Sequence, residues 1–252
     1  MDGDDVSRKA EGEIVPVPER GRVFRRGQEV RLADVSPGGR LRLDAFARYL
    51  QDVSNDDARD SGIPDPMAWV VRRMVIEVRQ FAIFSETLEL ATFCSGIGSR
   101  WAERGVAAVG DRGAVMNAAT VWVHLDLDTM TPKRLPTGFE TVYGEAAGGR
   151  TVRSRLVHAA PPSGAASTRW PVRFADFDLL GHMNNAAYWI PVEELLAAHR
   201  DRRAPLRAEL EYRAPIEVGH ELALVVVDDV QLRAWLVSEA GVHSSVVVES
   251  LP

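Results

Sequence analysis

The sequence predicts an α+β fold in which one plan, a helix followed by a run of antiparallel strands, is carried out twice. Three observations predict it. Val30–Asp52 lies over Val172–Glu194 without a gap at a constant offset of 142 residues, with identical pairs Val30/Val172, Arg31/Arg173, Ala33/Ala175, Asp34/Asp176, Gly39/Gly181 and Ala45/Ala187. A second block follows at an offset of 134, where Ile76-Glu77-Val78-Arg79 lies over Leu210-Glu211-Tyr212-Arg213, and Leu88 and Leu90 lie over Leu222 and Leu224. Beyond these blocks, apolar and polar residues alternate as they do in strands.

Taken in order, residues 1–18 are polar and are expected to form a mobile tail. The first repeat, 19–143, opens on a Gly-containing loop and a helix, because Leu43, Phe46, Ala47, Leu50 and Val53 form one apolar stripe at helical spacing. Alternation from Val115 to Leu127 predicts a long strand of roughly 43 Å at about 3.3 Å per residue. Residues 144–168, rich in Gly, Ala, Ser and Pro, have the composition of a linker. The second repeat, 169–252, supplies strands at Ala208–Tyr212, Leu222–Asp228, Gln231–Ser238 and Val242–Val248. Pro191 should kink the second helix or force a local rearrangement, at a cost near 3 kcal/mol.

Composition narrows the function. The 252 residues are 46% apolar and 26% charged, which suits a globular fold, and no apolar run approaches the roughly 20 residues of a bilayer span. The acidic amino terminus lacks a secretory pattern, so the expected compartment is the cytoplasm. One cysteine, Cys94, allows no internal disulfide and no cysteine metal site. Thirty Lys and Arg against 36 Asp and Glu, without a basic block, disfavour nucleic acid as the main ligand.

The repeats diverge where chemistry is expected. Asp178, His182, Asn184 and Asn185 occur in the second copy, where the first has Ser36, Arg40, Arg42 and Leu43. Residues shared by both copies serve the shared backbone path, and Gly39 and Gly181 suit a left-handed turn. An imidazole at a helix entrance can exchange protons near neutral pH, a carboxylate four residues earlier can orient it, and helix-start amides can hold an oxyanion. The same residues also read as architecture, with Asn184 capping the helix and Asp178 and His182 tying down a turn.

The run Phe174–Tyr188 resembles the second half of acyl-acyl carrier protein thioesterases, whose signature is Asp-x-Asn-x-His-x-Asn-Asn-x-x-Tyr. Trp69-Val-Val-Arg-Arg-Met74, the Trp101 region with Arg104, Thr120-Val-Trp-Val123 and the helix from Leu43 to Gly62 are similar to the family's first repeat, and Glu211-Tyr-Arg213 to its closing strand motif. The resemblance implies a double hotdog, each repeat wrapping an antiparallel sheet round its own helix. It implies hydrolysis of fatty acyl thioesters of acyl carrier protein, with no metal or redox cofactor. Carried over by position, Asp178, His182 and Asn184 are the candidate catalytic residues and Asn185 a substrate-binding one. The acyl pocket is expected in the first repeat, with Phe46, Leu50, Val53 and Met74 as candidate lining. The expected partner is acyl carrier protein, which arginines 20, 22, 25, 26, 31, 40, 42, 72 and 73 could meet; a homodimer is a further expectation.

Two positions depart from the family pattern. Leu180 stands where the family has Asn, and Pro215 where it has a catalytic Glu. Glu217 lies two positions further on and regains the same face only if strand register is kept. Three readings follow: a thioesterase acting on the carrier ester, one acting on coenzyme A esters, and a non-catalytic acyl or carrier binder.

Overall fold

The computed structural model describes residues 12–63, 68–199 and 201–252. Its elements run β1 (Val23–Glu29), α1 (Leu43–Ser61), β2 (Trp69–Gln80), β3 (Thr87–Ile97), β4 (Trp101–Gly110), β5 (Val115–Asp126), β6 (Thr131–Pro132) and α2 (Phe139–Ala147). The second half follows with β7 (Ser167–Trp170), α3 (Ile190–Ala198), β8 (Leu206–Tyr212), β9 (Leu222–Asp228), β10 (Leu232–Ser238) and β11 (Gly241–Ser250). The main sheet has the order β1-β3-β4-β5-β2-β8-β11-β10-β9-β7, so the repeats are mirror-ordered about the β2–β8 pair. This is the double hotdog, with one continuous antiparallel sheet.

The duplication extends to single hydrogen bonds. In the first loop Ser36 N–H reaches Arg40 O, Gly39 N–H reaches Ser36 O and Arg42 N–H reaches Asp34 O; Asp178, Gly181 and Asn184 repeat all three bonds with His182, Asp178 and Asp176. Gly39 and Gly181 take φ of 80° and 75°, the left-handed region that a side chain disfavours. Asp34 and Asp176 each return a carboxylate to the backbone N–H of Arg31 and Arg173, which explains why both copies keep an Asp there.

Strand parity places the core. Met74, Ile76 and Val78 of β2, Val106 and Ala108 of β4, Met116 and Ala118 of β5 and Leu206, Ala208 and Leu210 of β8 share one core with Phe46 and Leu50 of α1 and Val192 of α3. Burying one such side chain contributes roughly 1.5–3 kcal/mol. The repeats join on the same logic. Met74↔Leu210, Ile76↔Ala208 and Val78↔Leu206 pair on the core face, while Arg73↔Glu211 and Glu77↔Arg207 place opposite charges across the junction on the other face.

Helix α1 ends at Gly62, whose φ of 69° supplies the left-handed cap. Pro191 does force a rearrangement: a 3-10 turn, Ala187–Trp189, precedes α3, and the proline sits in the first turn of α3, where its missing N–H is not needed. The segment expected as a linker is not loose throughout. It contains the end of α2 and part of β7, and between them the Glu211 carboxylate accepts the N–H groups of Val157 and His158. For the expected mobile tail, residues 1–11 lie outside the described residues, whereas the Gly12 and Glu13 carbonyls are held by Arg207 and Arg150. Among the described residues no helix is long and apolar enough to cross a membrane.

Candidate active site

The second copy of the loop and helix entrance is pinned from below by two tyrosines. Tyr188 OH accepts the Ile216 N–H at 3.1 Å, and Tyr212 OH donates to Asn185 O at 3.0 Å while accepting Trp189 Nε1–H at 3.1 Å. Burial pushes both phenols well above their ordinary pKa, so they remain neutral at physiological pH. Asn185 is thereby fixed at the point where the loop meets the second helix.

Within the loop, Asp178 and Asn184 satisfy each other and the backbone. Asp178 Oδ1 accepts Leu180 N–H at 3.0 Å and its Oδ2 accepts Asn184 Nδ2 at 3.3 Å, while Asn184 Oδ1 accepts Ala186 N–H at 2.9 Å. Asn184 also takes the Ala187 N–H on its carbonyl. The capping reading of Asn184 therefore describes its contacts here, and these helix-start amides are not free to hold an oxyanion. Nor does Asp178 steer the imidazole. The carboxylate recorded beside His182 is that of Glu217, with Nε2 to Oε1 at 4.0 Å and the two residues bridged in antiparallel register. That bridge repeats Arg40↔Ile83 of the first copy, so the register needed to bring Glu217 beside His182 is kept. Both side chains are partly exposed, at 40% and 61%.

The departures have structural consequences. Leu180 is exposed and offers only its backbone to the loop. At Pro215 the carbonyl accepts from His243 Nδ1 at 3.0 Å, so the backbone there is already engaged.

Two hollows border α1 of the first repeat. The narrow one is lined by Ala47, Leu50, Gln51 and Ser54 of α1, Val71 and Met74 of β2, Thr120 and Trp122 of β5, and Asn185. The wider one is lined by Ser54, Asn55, Ala58, Ile63, Trp69, Cys94, Ala102, Glu103, Arg104, Trp122, Phe139 and Tyr143. Bulges in β2 between Val71 and Arg73 and in β3 between Cys94 and Gly96 re-aim the strands around it. Of the residues expected to line an acyl pocket, Leu50 and Met74 border the narrow hollow together with Asn185, whereas Phe46 and Val53 are sealed in the core and meet neither hollow. Trp122, Ser54, Phe139 and Tyr143 were missed as lining: the signal that could have found Trp122 and Ser54 is their spacing onto the inner faces of β5 and α1, but Phe139 and Tyr143 enter through α2, which the repeat does not duplicate.

A buried ionic centre abuts the wider hollow. Asp57, 1% exposed, accepts from Arg22 Nε at 2.7 Å, from Tyr143 OH at 2.8 Å and from Arg104. Burial acts to lower the Arg104 pKa, but Asp57 prevails and holds it above its usual value. Part of the arginine set expected to face a carrier is likewise engaged by carboxylates of the same chain: Arg26 pairs with Asp56, Arg40 with Glu193 and Arg42 with Asp44. His158 stands with Glu209 and Glu211 in a group of metal-ligand types. There Glu211 binds Arg213 and the N–H groups of Val157 and His158, Glu209 binds Arg207, and Arg73 lies 3.9 Å from Glu209, so the cluster is internally neutralised rather than open to a cation.

The fold and this entrance define a protein of the hotdog class with hollows beside the helix of one repeat and polar groups in the other. The chain belongs to the acyl-ACP thioesterase family: residues 21–143 match the acyl-ACP thioesterase N-terminal domain and 160–245 the acyl-ACP thioesterase C-terminal domain. It is 30% identical over 237 residues to the uncharacterized protein Rv2001 of Mycobacterium tuberculosis, covering 88% of this chain and 95% of that one. Among solved structures it is similar to an acyl-ACP thioesterase from Bacteroides thetaiotaomicron, with TM-score 0.75, 18% identity and coverage of 90% and 97%. It is likewise similar to the 12:0-ACP thioesterase from Umbellularia californica, with TM-score 0.72, 18% identity and coverage of 92% and 98%.

Proposed function

We propose that the protein hydrolyses the thioester joining a fatty acyl group to an acyl carrier protein, giving free fatty acid and carrier thiol. The observation that carries this reading is the pair of hollows whose narrow member is bounded by Asn185, three residues beyond His182. The acyl chain lies along the hollows and its carbonyl meets the second helix entrance. His182 takes a proton from water as the water oxygen bonds to the carbonyl carbon. Asn185 Nδ2 donates to the tetrahedral oxygen in place of the amides that Asn184 occupies. When the C–S bond breaks, the imidazolium returns the proton to sulfur. Glu217 stabilises that imidazolium, directly after a small closure or through one water across the 4.0 Å gap. Asp178 and Asn184 hold the loop that carries His182.

Family membership and the carrier substrate named for the Umbellularia californica relative support the carrier ester as substrate. Coenzyme A esters are the close variant. A second reading, an acyl or carrier binder without turnover, is favoured by Leu180 and Pro215, which remove two polar groups from the family pattern. Thiol release from a panel of acyl-carrier and acyl-coenzyme A esters separates them: release with a preference for one carrier supports hydrolysis, and saturable binding without release supports the binder.

A further inference from the structure

We propose that the acyl chain accepted here carries a hydroxyl group, held where the two hollows meet. The inference rests on the acyl-site reading above and adds a substrate class to it. Ser54 and Trp122 are the residues that line both hollows, so a chain passing from one to the other runs between them. Trp122 lies on the strand face of β5 that Met116 and Ala118 turn toward the helices. Its indole Nε1–H is buried and has no hydrogen-bond partner among the described residues. A buried donor left unpaired is costly and is rare in folded proteins, and because the side chain that bears it lines both hollows, a ligand group entering between them can supply the partner.

Ser54 defines what that partner must be. Its hydroxyl donates to Leu50 O at 2.6 Å, which commits the proton and leaves the oxygen free to accept. The neck thus presents one donor, from Trp122, and one acceptor, from Ser54. A hydroxyl matches both. A ketone oxygen would satisfy the indole alone, and a plain methylene neither. Deeper polar groups make no such demand: Tyr143 OH and Arg104 are spent on Asp57, and Glu103 on Ser95 and Arg150.

The test is calorimetric binding of decanoic acid and of decanoic acids bearing one hydroxyl at successive carbons from the carboxyl end. At least one hydroxylated isomer should bind the wild type about tenfold more tightly than decanoic acid, and in Trp122→Phe, which keeps the ring and removes the donor, that ratio should fall to near one. Ser54→Ala, which removes the acceptor, should also lower it and serves in its place if Trp122→Phe does not fold. Decanoic acid binding the wild type as tightly as every hydroxylated isomer, or a ratio unchanged in both variants, overturns the proposal. Thioesters of the same acids, assayed for thiol release, separate the two claims: a hydroxyl preference in binding without any turnover overturns the hydrolase reading and leaves this one standing.

Discussion

Arg40 and Glu193 clasp the two repeats together, Nη1 to Oε1 at 3.0 Å and Nη2 to Oε2 at 2.9 Å, and the same carboxylate accepts the Leu43 N–H at 2.6 Å. By the 142-residue offset Arg40 stands where His182 stands, so the first copy of the loop is closed by an ion pair and the second is left open. On a common backbone, that asymmetry leaves one open loop per chain. The ion pair also caps the amino terminus of α1 from across the molecule.

Replacing Glu193 by Ala should therefore destabilise the whole chain, because it strands a mostly buried guanidinium and uncaps α1. A loss of about 3 kcal/mol in chemical denaturation is expected, with both repeats unfolding together. A loss below about 1 kcal/mol would show that the clasp is incidental.

Glu217→Gln should lower kcat by roughly 10- to 100-fold while KM changes little, because the carboxylate acts on the imidazolium formed during reaction rather than on bound substrate. Steady-state kinetics on the best ester of the panel provide the check. An unchanged kcat would remove Glu217 from the mechanism.

Asp57→Asn leaves Arg104 and Arg22 without their shared counter-charge beside the wider hollow. About 3–5 kcal/mol of stability should be lost, against less than about 1 kcal/mol for Asp56→Asn, whose pairing with Arg26 is more open to water. Equal effects of the two substitutions contradict the assignment of a buried centre.

Acidification should weaken the fold before any carboxylate titrates out. Burial depresses the pKa of His158, overcoming the pull of Glu211 and Glu209, and burial likewise depresses His243 against its bond to Pro215 O. A base whose folded pKa lies below its unfolded value near 6.5 binds more protons unfolded, so stability falls as pH drops through and below that value. The melting temperature should decrease from about pH 7.5 to about pH 5, and less so in His243→Gln. A flat or rising profile contradicts the burial of these rings.

Much of the fold was legible because it is local and repeated. The α1 stripe, the glycines at 39 and 181 and the alternation in β5 each follow from spacing that survives without tertiary information. The site was legible only in part. Spacing placed His182 and Asn185 at a helix entrance, but side-chain direction depends on what else competes for the same atoms, and Asp178 turned to Leu180 and Asn184. Glu217 depended on a strand register that the break at Pro215 obscured. The 144–168 segment looked like a linker by composition, yet its anchor is a carboxylate more than fifty residues later, at Glu211. Phe46 and Leu50 share one helical stripe, and only the hollow shows that Leu50 meets it.

The most direct test of the central claim compares His182→Ala with the wild type in two assays: thiol release from the preferred acyl thioester, and binding of the corresponding free acid. Loss of release by at least 100-fold, with binding within about twofold of the wild type, is the predicted result. Release that persists at the wild-type rate in His182→Ala would contradict the account.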